Sequence, residues 1–161
     1  MHLRNELYWT TPSVTSPIYE LCSDNVVIAT LNVKGGKGYP AIGEFVGKRW
    51  FFEAKGIFKQ YISVHDIESG DIVAKINPDA GRILLQLGEK DNFFLISQWS
   101  LHGKYKIINN EEKLIMIIQN MCPFRKIVAK VLLTDEGKKL QELPLLALTG
   151  FYYNISRDRG A

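Results

Sequence analysis

Apolar residues along this chain come in short runs of five to eight, broken by turn residues about every ten positions. That spacing is the signature of antiparallel strands. Twelve runs qualify: ELYWT (6–10), IYELC (18–22), VVIATLNV (26–33), AIGEFV (41–46), KRWFFEA (48–54), QYISVHD (60–66), DIVAKI (71–76), RILLQL (82–87), FFLISQ (93–98), KYKIIN (104–109), KLIMIIQ (113–119) and KIVAKVLL (126–133). β-Branched and aromatic residues concentrate inside them, as half-buried pleated surfaces favour. In QYISVHD the alternation predicts Tyr61, Ser63 and His65 on one face and Ile62, Val64 and Asp66 on the other. In DIVAKI it sets Ile72, Ala74 and Ile76 against Val73 and Lys75. LIMIIQ is apolar on both faces and predicts a strand lying between two layers.

The breaks are turns with a mechanism. IESGD (67–71) carries Ser69-Gly70 for a tight hairpin, NPDAG (77–81) carries Pro78 at a position that pre-sets φ, and GEKDN (88–92) and NNEE (109–112) read as hairpin tips. Connections this short join antiparallel neighbours and leave no room for crossover helices.

One segment breaks the period. In LPLLALTGFYYNI (143–155) apolar residues cover every helical face, and Pro144 suits a first helical turn. A helix apolar all round is surrounded by protein or lipid. Thirteen residues rise only about 20 Å as helix, against about 30 Å of hydrocarbon, so the segment is too short to span. Three placements remain: a helix enclosed by a barrel, a buried last strand, or an interfacial or partner-binding tail. The enclosed helix is favoured, because a barrel of about twelve strands is too wide for wall side chains alone to fill. The expectation is an all-β chain with one helix: a closed antiparallel barrel of about twelve strands in one domain (1–161), around a buried C-terminal helix at about 142–156.

At 161 residues, with 46% hydrophobic and 23% charged residues, the chain has the make-up of one globular domain. Its net charge of +3 is spread in ones and twos, without the clustered basic run of a dedicated nucleic-acid binder, so no nucleic acid is expected. The two cysteines, Cys22 and Cys122, are far apart with no CxxC spacing and read as free thiols. The N-terminal MHLRNELYWT holds no secretory apolar run, which places the expectation in the cytoplasm.

The strand inventory, Trp50-Phe51-Phe52, the Ser69-Gly70 hairpin and the terminal LPLLALTGFYY together resemble the tubby C-terminal-like superfamily, which includes tubby proteins, phospholipid scramblases and the plant LURP-one-related proteins. The stretch from RWFFEAKGIFKQYISVHDIESGDIVAKI through GRILLQLGEKDNFFLI is similar in pattern to bacterial-type members. The resemblance implies a twelve-stranded barrel around a C-terminal helix, and a non-enzymatic module that engages anionic phospholipid or phosphoinositide headgroups as a peripheral membrane protein. Scramblases carry an acidic calcium-binding stretch; DIESGD (66–71) is too short for such a loop and reads as a hairpin turn.

Candidate chemistry is sparse. His2, His65 and His102 are isolated, no metal-ligand spacing occurs, and there is no GxSxG elbow, so no catalytic residue, metal or cofactor is expected. An enzyme would have to assemble its site from scattered residues such as His65, Asp66, His102 and Asp135. VKGGKG (33–38) fails the phosphate-loop pattern and reads as a hairpin loop, whose Lys34 and Lys37 suit an anionic headgroup. Lys48 and Arg49 complete the candidate set. The competing functional classes are a carrier of a small apolar ligand in the barrel lumen and a protein-interaction scaffold of unspecified partner.

Overall fold

The computed structural model describes residues 3–13, 15–34, 40–55, 61–79, 82–122 and 125–159. Twelve strands form one closed up-and-down antiparallel barrel: β1 (Glu6–Thr10), β2 (Ile18–Ser23), β3 (Val26–Val33), β4 (Ala41–Phe45), β5 (Lys48–Lys55), β6 (Tyr61–Asp66), β7 (Ile72–Asp79), β8 (Arg82–Leu87), β9 (Asp91–Gln98), β10 (Lys104–Asn109), β11 (Leu114–Asn120) and β12 (Ile127–Leu133). Each strand pairs with its neighbours in sequence, and β1 closes on β12 from Glu6↔Leu132 to Thr10↔Ile127. Closure leaves no sheet edge to template association. A four-residue helix α1 (Asp135–Lys138) follows, then α2 (Leu143–Arg159).

The period-2 pattern sorts side chains as expected. Leu7 and Trp9 of β1, Ile62 and Val64 of β6, Ala74 and Ile76 of β7, and Ala129 and Val131 of β12 point inward and are at most 2% exposed. Ile72 departs from its predicted face and is 49% exposed, because a register shift between Val64 and His65 pairs His65 with Ile72. Two boundaries also move. Strand β7 runs on to Asp79, with Pro78 opposite Ile83 and Asp79 opposite Arg82, so Pro78 belongs to the ladder rather than the turn; its fixed φ is compatible with extended backbone. Strand β4 stops at Phe45, and Val46-Gly47 forms the two-residue turn.

α2 fills the lumen. Leu146, Ala147, Leu148, Thr149, Phe151 and Tyr152 are all at most 1% exposed. Their partners lie all round the wall. Phe151 stacks on Trp9 of β1 at 4.1 Å between ring centroids and meets Tyr19 of β2 edge-on at 5.3 Å, while Tyr152 lies 5.2 Å from Phe52 of β5. Gly150 faces Ile107 of β10 and Ile118 of β11, where a Cβ would come within 3.0 Å of Ile107. Asn154, 1% exposed, forms a reciprocal amide pair with Asn120 of β11: Asn120 Nδ2 donates to Asn154 Oδ1 (3.0 Å) and Asn154 Nδ2 to Asn120 Oδ1 (2.5 Å). A buried amide pair that satisfies both partners fixes the axial position of a helix that apolar packing alone would leave free to slide.

The two-sided burial of β11 has a cause the pattern did not reveal. Its outer face is covered by α1, not by a second sheet. Thr134 caps α1, accepting from Gly137 N–H at 3.1 Å, while its hydroxyl hydrogen faces the carbonyls of Leu114 (2.6 Å) and Ile115 (3.0 Å). Gly137 then lies flat on Ile115, leaving no space for a Cβ against the Ile115 carbonyl oxygen.

Candidate functional site

Hairpin topology sends alternate connections to opposite ends of the barrel. The end where α2 begins receives the connections 24–25, 46–47, 67–71, 88–90, 110–113 and 134–142. The end where α2 finishes lies after β1, β3, β5, β7, β9 and β11, with 11–13, 15–17, 34, 40, 99–103, 121–122 and 125–126 as the described residues of its connections. The sequence loads these two ends with opposite charge. The first set carries nine Asp and Glu against four Lys. The second contains Lys34, Arg125 and Lys126 and no Asp or Glu among its described residues. The helix itself finishes there with Arg157-Asp158-Arg159.

This split divides the four sequence-predicted residues. Lys34 is exposed at the second, basic end, where its N–H donates to the Pro40 carbonyl at 2.8 Å. Lys37 lies outside the described residues. Lys48 and Arg49 start β5 at the other end, on the far side of β4, whose five residues span on the order of 14 Å. Their surroundings are acidic: Glu44 stands opposite Arg49 in register, and Asp66 and Glu142 share a groove with Lys48. The structure therefore keeps Lys48 and Arg49, consecutive on β5 and directed to opposite faces, at one end and separates both from Lys34. Arg125 and Lys126, which the sequence reading did not single out, share the end that carries Lys34. The signal was available in the charge summed over alternate connections.

The groove beside Lys48 has a volume of about 560 Å³ and lies between the β4–β5 hairpin, Val73 of β7 and the first turn of α2 at Pro144 and Leu145. At its mouth Val46 is 72% exposed with φ of 41°, followed by Gly47 at 77°. A two-residue hairpin of this type needs positive φ at both positions, and a β-branched residue there is strained. A second groove, of about 520 Å³, runs along the outer faces of β1, β2 and β3 past Glu6, Tyr8, Cys22 and Asp24. Two of its charges pair with each other, Arg4 with Asp24, and Glu6 pairs with Lys130 of β12 at 3.5 Å. A hydrogen bond to the Glu6 carboxylate raises the Tyr8 hydroxyl above its ordinary pKa.

The residues an enzyme would need do not converge. His65 sits on the outer wall, its Nε2 3.2 Å from Ser63 Oγ and its ring tilted against Phe51. His102 lies at the basic end, whereas Asp66 and Asp135 lie at the acidic end. Asp66 is occupied as a turn acceptor for the N–H groups of Glu68 (2.9 Å) and Ser69 (3.0 Å), which makes DIESGD the hairpin turn expected of it. Among the described residues no group of three or more His, Cys, Asp or Glu could hold a metal ion. Both cysteines are free thiols. No helix among the described residues is long and apolar enough to cross a membrane.

The closed twelve-stranded barrel around one C-terminal helix is the general architecture of tubby-like folds. No family model, curated protein or solved structure matches the chain.

Proposed function

We propose that this chain is a non-enzymatic binding module that engages anionic phospholipid headgroups, phosphoinositides among them, at a membrane surface. The observation that carries the reading is the segregation of charge between the two barrel ends, with one end basic and without Asp or Glu among the described residues of its connections. An anionic surface attracts the basic end and repels the acidic one, so the field both draws the molecule in and orients it. Each Lys or Arg close to such a surface contributes about 1 kcal/mol. The anionic leaflet is the cytoplasmic one, which fits a peripheral protein acting from that side. The architecture also supports a place among tubby-like, scramblase-like and LURP-one-related barrels. A lumenal carrier is disfavoured, because α2 occupies the space an apolar ligand would need. A protein-interaction scaffold draws its support from the groove of about 560 Å³ beside α2.

The test is flotation with neutral and with phosphoinositide-containing vesicles across a salt series. Binding to the anionic vesicles alone, weakening as salt rises, is expected. Charge reversal of Lys34, Arg125 and Lys126 together is expected to abolish it, and reversal of Lys48 and Arg49 to leave it. Equal loss from both sets would assign the binding to overall charge rather than to one end.

A further inference from the structure

Trp99 and Leu101 are 95% and 84% exposed, more so than any other large apolar side chain among the described residues. Both lie on one five-residue connection, Trp99 to Gly103, at the basic end. The other two tryptophans show what the fold does with indole elsewhere: Trp9 is fully buried and Trp50 is 6% exposed. From the reading above, we infer that the barrel docks end-on against an anionic bilayer and that Trp99 and Leu101 form a wedge entering the boundary between headgroups and acyl chains.

Three features support this occupant. First, the wedge carries no acid and is flanked by His102 and Lys104, on an end whose other exposed charges include Lys34, Arg125 and Lys126. Charge complementarity therefore points to an anionic partner. Second, an indole beside an aliphatic side chain above a basic ring is the composition of an interfacial anchor, with the ring at headgroup depth and the Leu below it. A nucleic acid would use the indole for stacking but would leave Leu101 unused.

Third, the loop is anchored at its C-terminal base. Its base is tied by the Asn120 N–H donating to the Gly103 carbonyl at 2.9 Å. Gly103 has a φ of 97°, and a Cβ there would sit 2.9 Å from Asn120 Nδ2. The same Asn120 is paired to Asn154 of α2, so the enclosed helix braces the loop that presents the wedge. A braced loop inserts without first having to be ordered.

The experiment uses tryptophan emission with vesicles of phosphatidylserine in phosphatidylcholine, with and without brominated acyl chains, alongside flotation. Binding is expected to shift the emission to the blue and to bring quenching by the brominated lipid. Trp99→Phe is expected to remove both signals while keeping flotation, because the remaining indoles are inside the barrel. Trp99→Ser with Leu101→Ser is expected to weaken vesicle binding at least tenfold with an unchanged unfolding midpoint. Flotation with unshifted, unquenched emission would overturn the wedge and leave the lipid reading standing. Absence of flotation at low salt would overturn both.

Discussion

Truncating Phe151 to Ala tests whether the lumen is the core. The ring is 1% exposed, stacked on Trp9 with planes 9° apart and met edge-on by Tyr19. Its removal forfeits the transfer free energy of the ring and leaves a cavity. A closed hydrogen-bonded wall cannot collapse into that space, so the loss should fall in the upper part of the usual range of about 3–5 kcal/mol for such a change. At about 2–4 °C per kcal/mol for a chain of this size, Tm should drop by roughly 8–20 °C. Urea and thermal unfolding, followed by far-UV circular dichroism, measure it. A double-mutant cycle with Trp9→Leu should return a coupling of about 0.5–1.5 kcal/mol for the stacked pair. If Phe151→Ala does not fold, Phe151→Leu keeps most of the volume and should cost under about 1.5 kcal/mol. A loss below about 1 kcal/mol for Phe151→Ala with no coupling to Trp9 would refute the enclosed helix.

Gly137→Ala should destabilise by about 1–3 kcal/mol, because the new methyl meets the Ile115 backbone and displaces the Thr134 cap; an unfolding midpoint equal to wild type would show that α1 is not seated on β11. Thr149 is fully buried with its hydroxyl unpartnered, so the near-isosteric Thr149→Val should stabilise by about 1–2 kcal/mol in urea unfolding, and a loss would reveal a hidden partner. Burial, with a smaller contribution from the Glu53 charge, raises the Tyr152 hydroxyl well above the usual tyrosine pKa. The unfolded chain then releases this proton from about pH 10 while the folded chain keeps it, so stability falls as pH rises, by at most about 1.4 kcal/mol per pH unit from this group. Tyr152→Phe should flatten that alkaline decline in urea midpoints, and an identical slope in both proteins would remove Tyr152 as its source.

The strands were legible because their signal is local. ELYWT, VVIATLNV, RILLQL and KYKIIN begin and end in the structure where alternation and turn residues place them. Pro78 was misread because a turn-forming residue also fits an extended ladder, and only the pairing of Asp79 with Arg82 decides between them. α1 left no periodic trace: four residues cannot show a helical stripe, and its stability comes from Thr134 and Gly137 meeting β11. The enclosed helix was legible from its all-round apolarity. The site was less so. Lys34 and Lys48 look like neighbours in sequence, yet one strand carries the chain from end to end between them. Trp99 and Leu101 follow directly on the run FFLISQ (93–98) and were not singled out, because exposure is a property of the folded surface rather than of the run of letters.

The position of α2 in chain order has a consequence for synthesis. Every strand precedes the element that fills the barrel. At about 5–20 residues per second, the ribosome takes several seconds or more to move from β1 to α2. Throughout that interval the inward-facing Leu7, Trp9, Leu21 and Leu31 have no helix to cover them, and β1 has no β12 to close on. A nascent chain at that stage is an open ribbon with apolar surface and unpaired edges exposed, the condition that favours aggregation. The Trp99–Gly103 loop is completed on the same schedule, because the Asn120 amide at its base gains its partner only when Asn154 arrives.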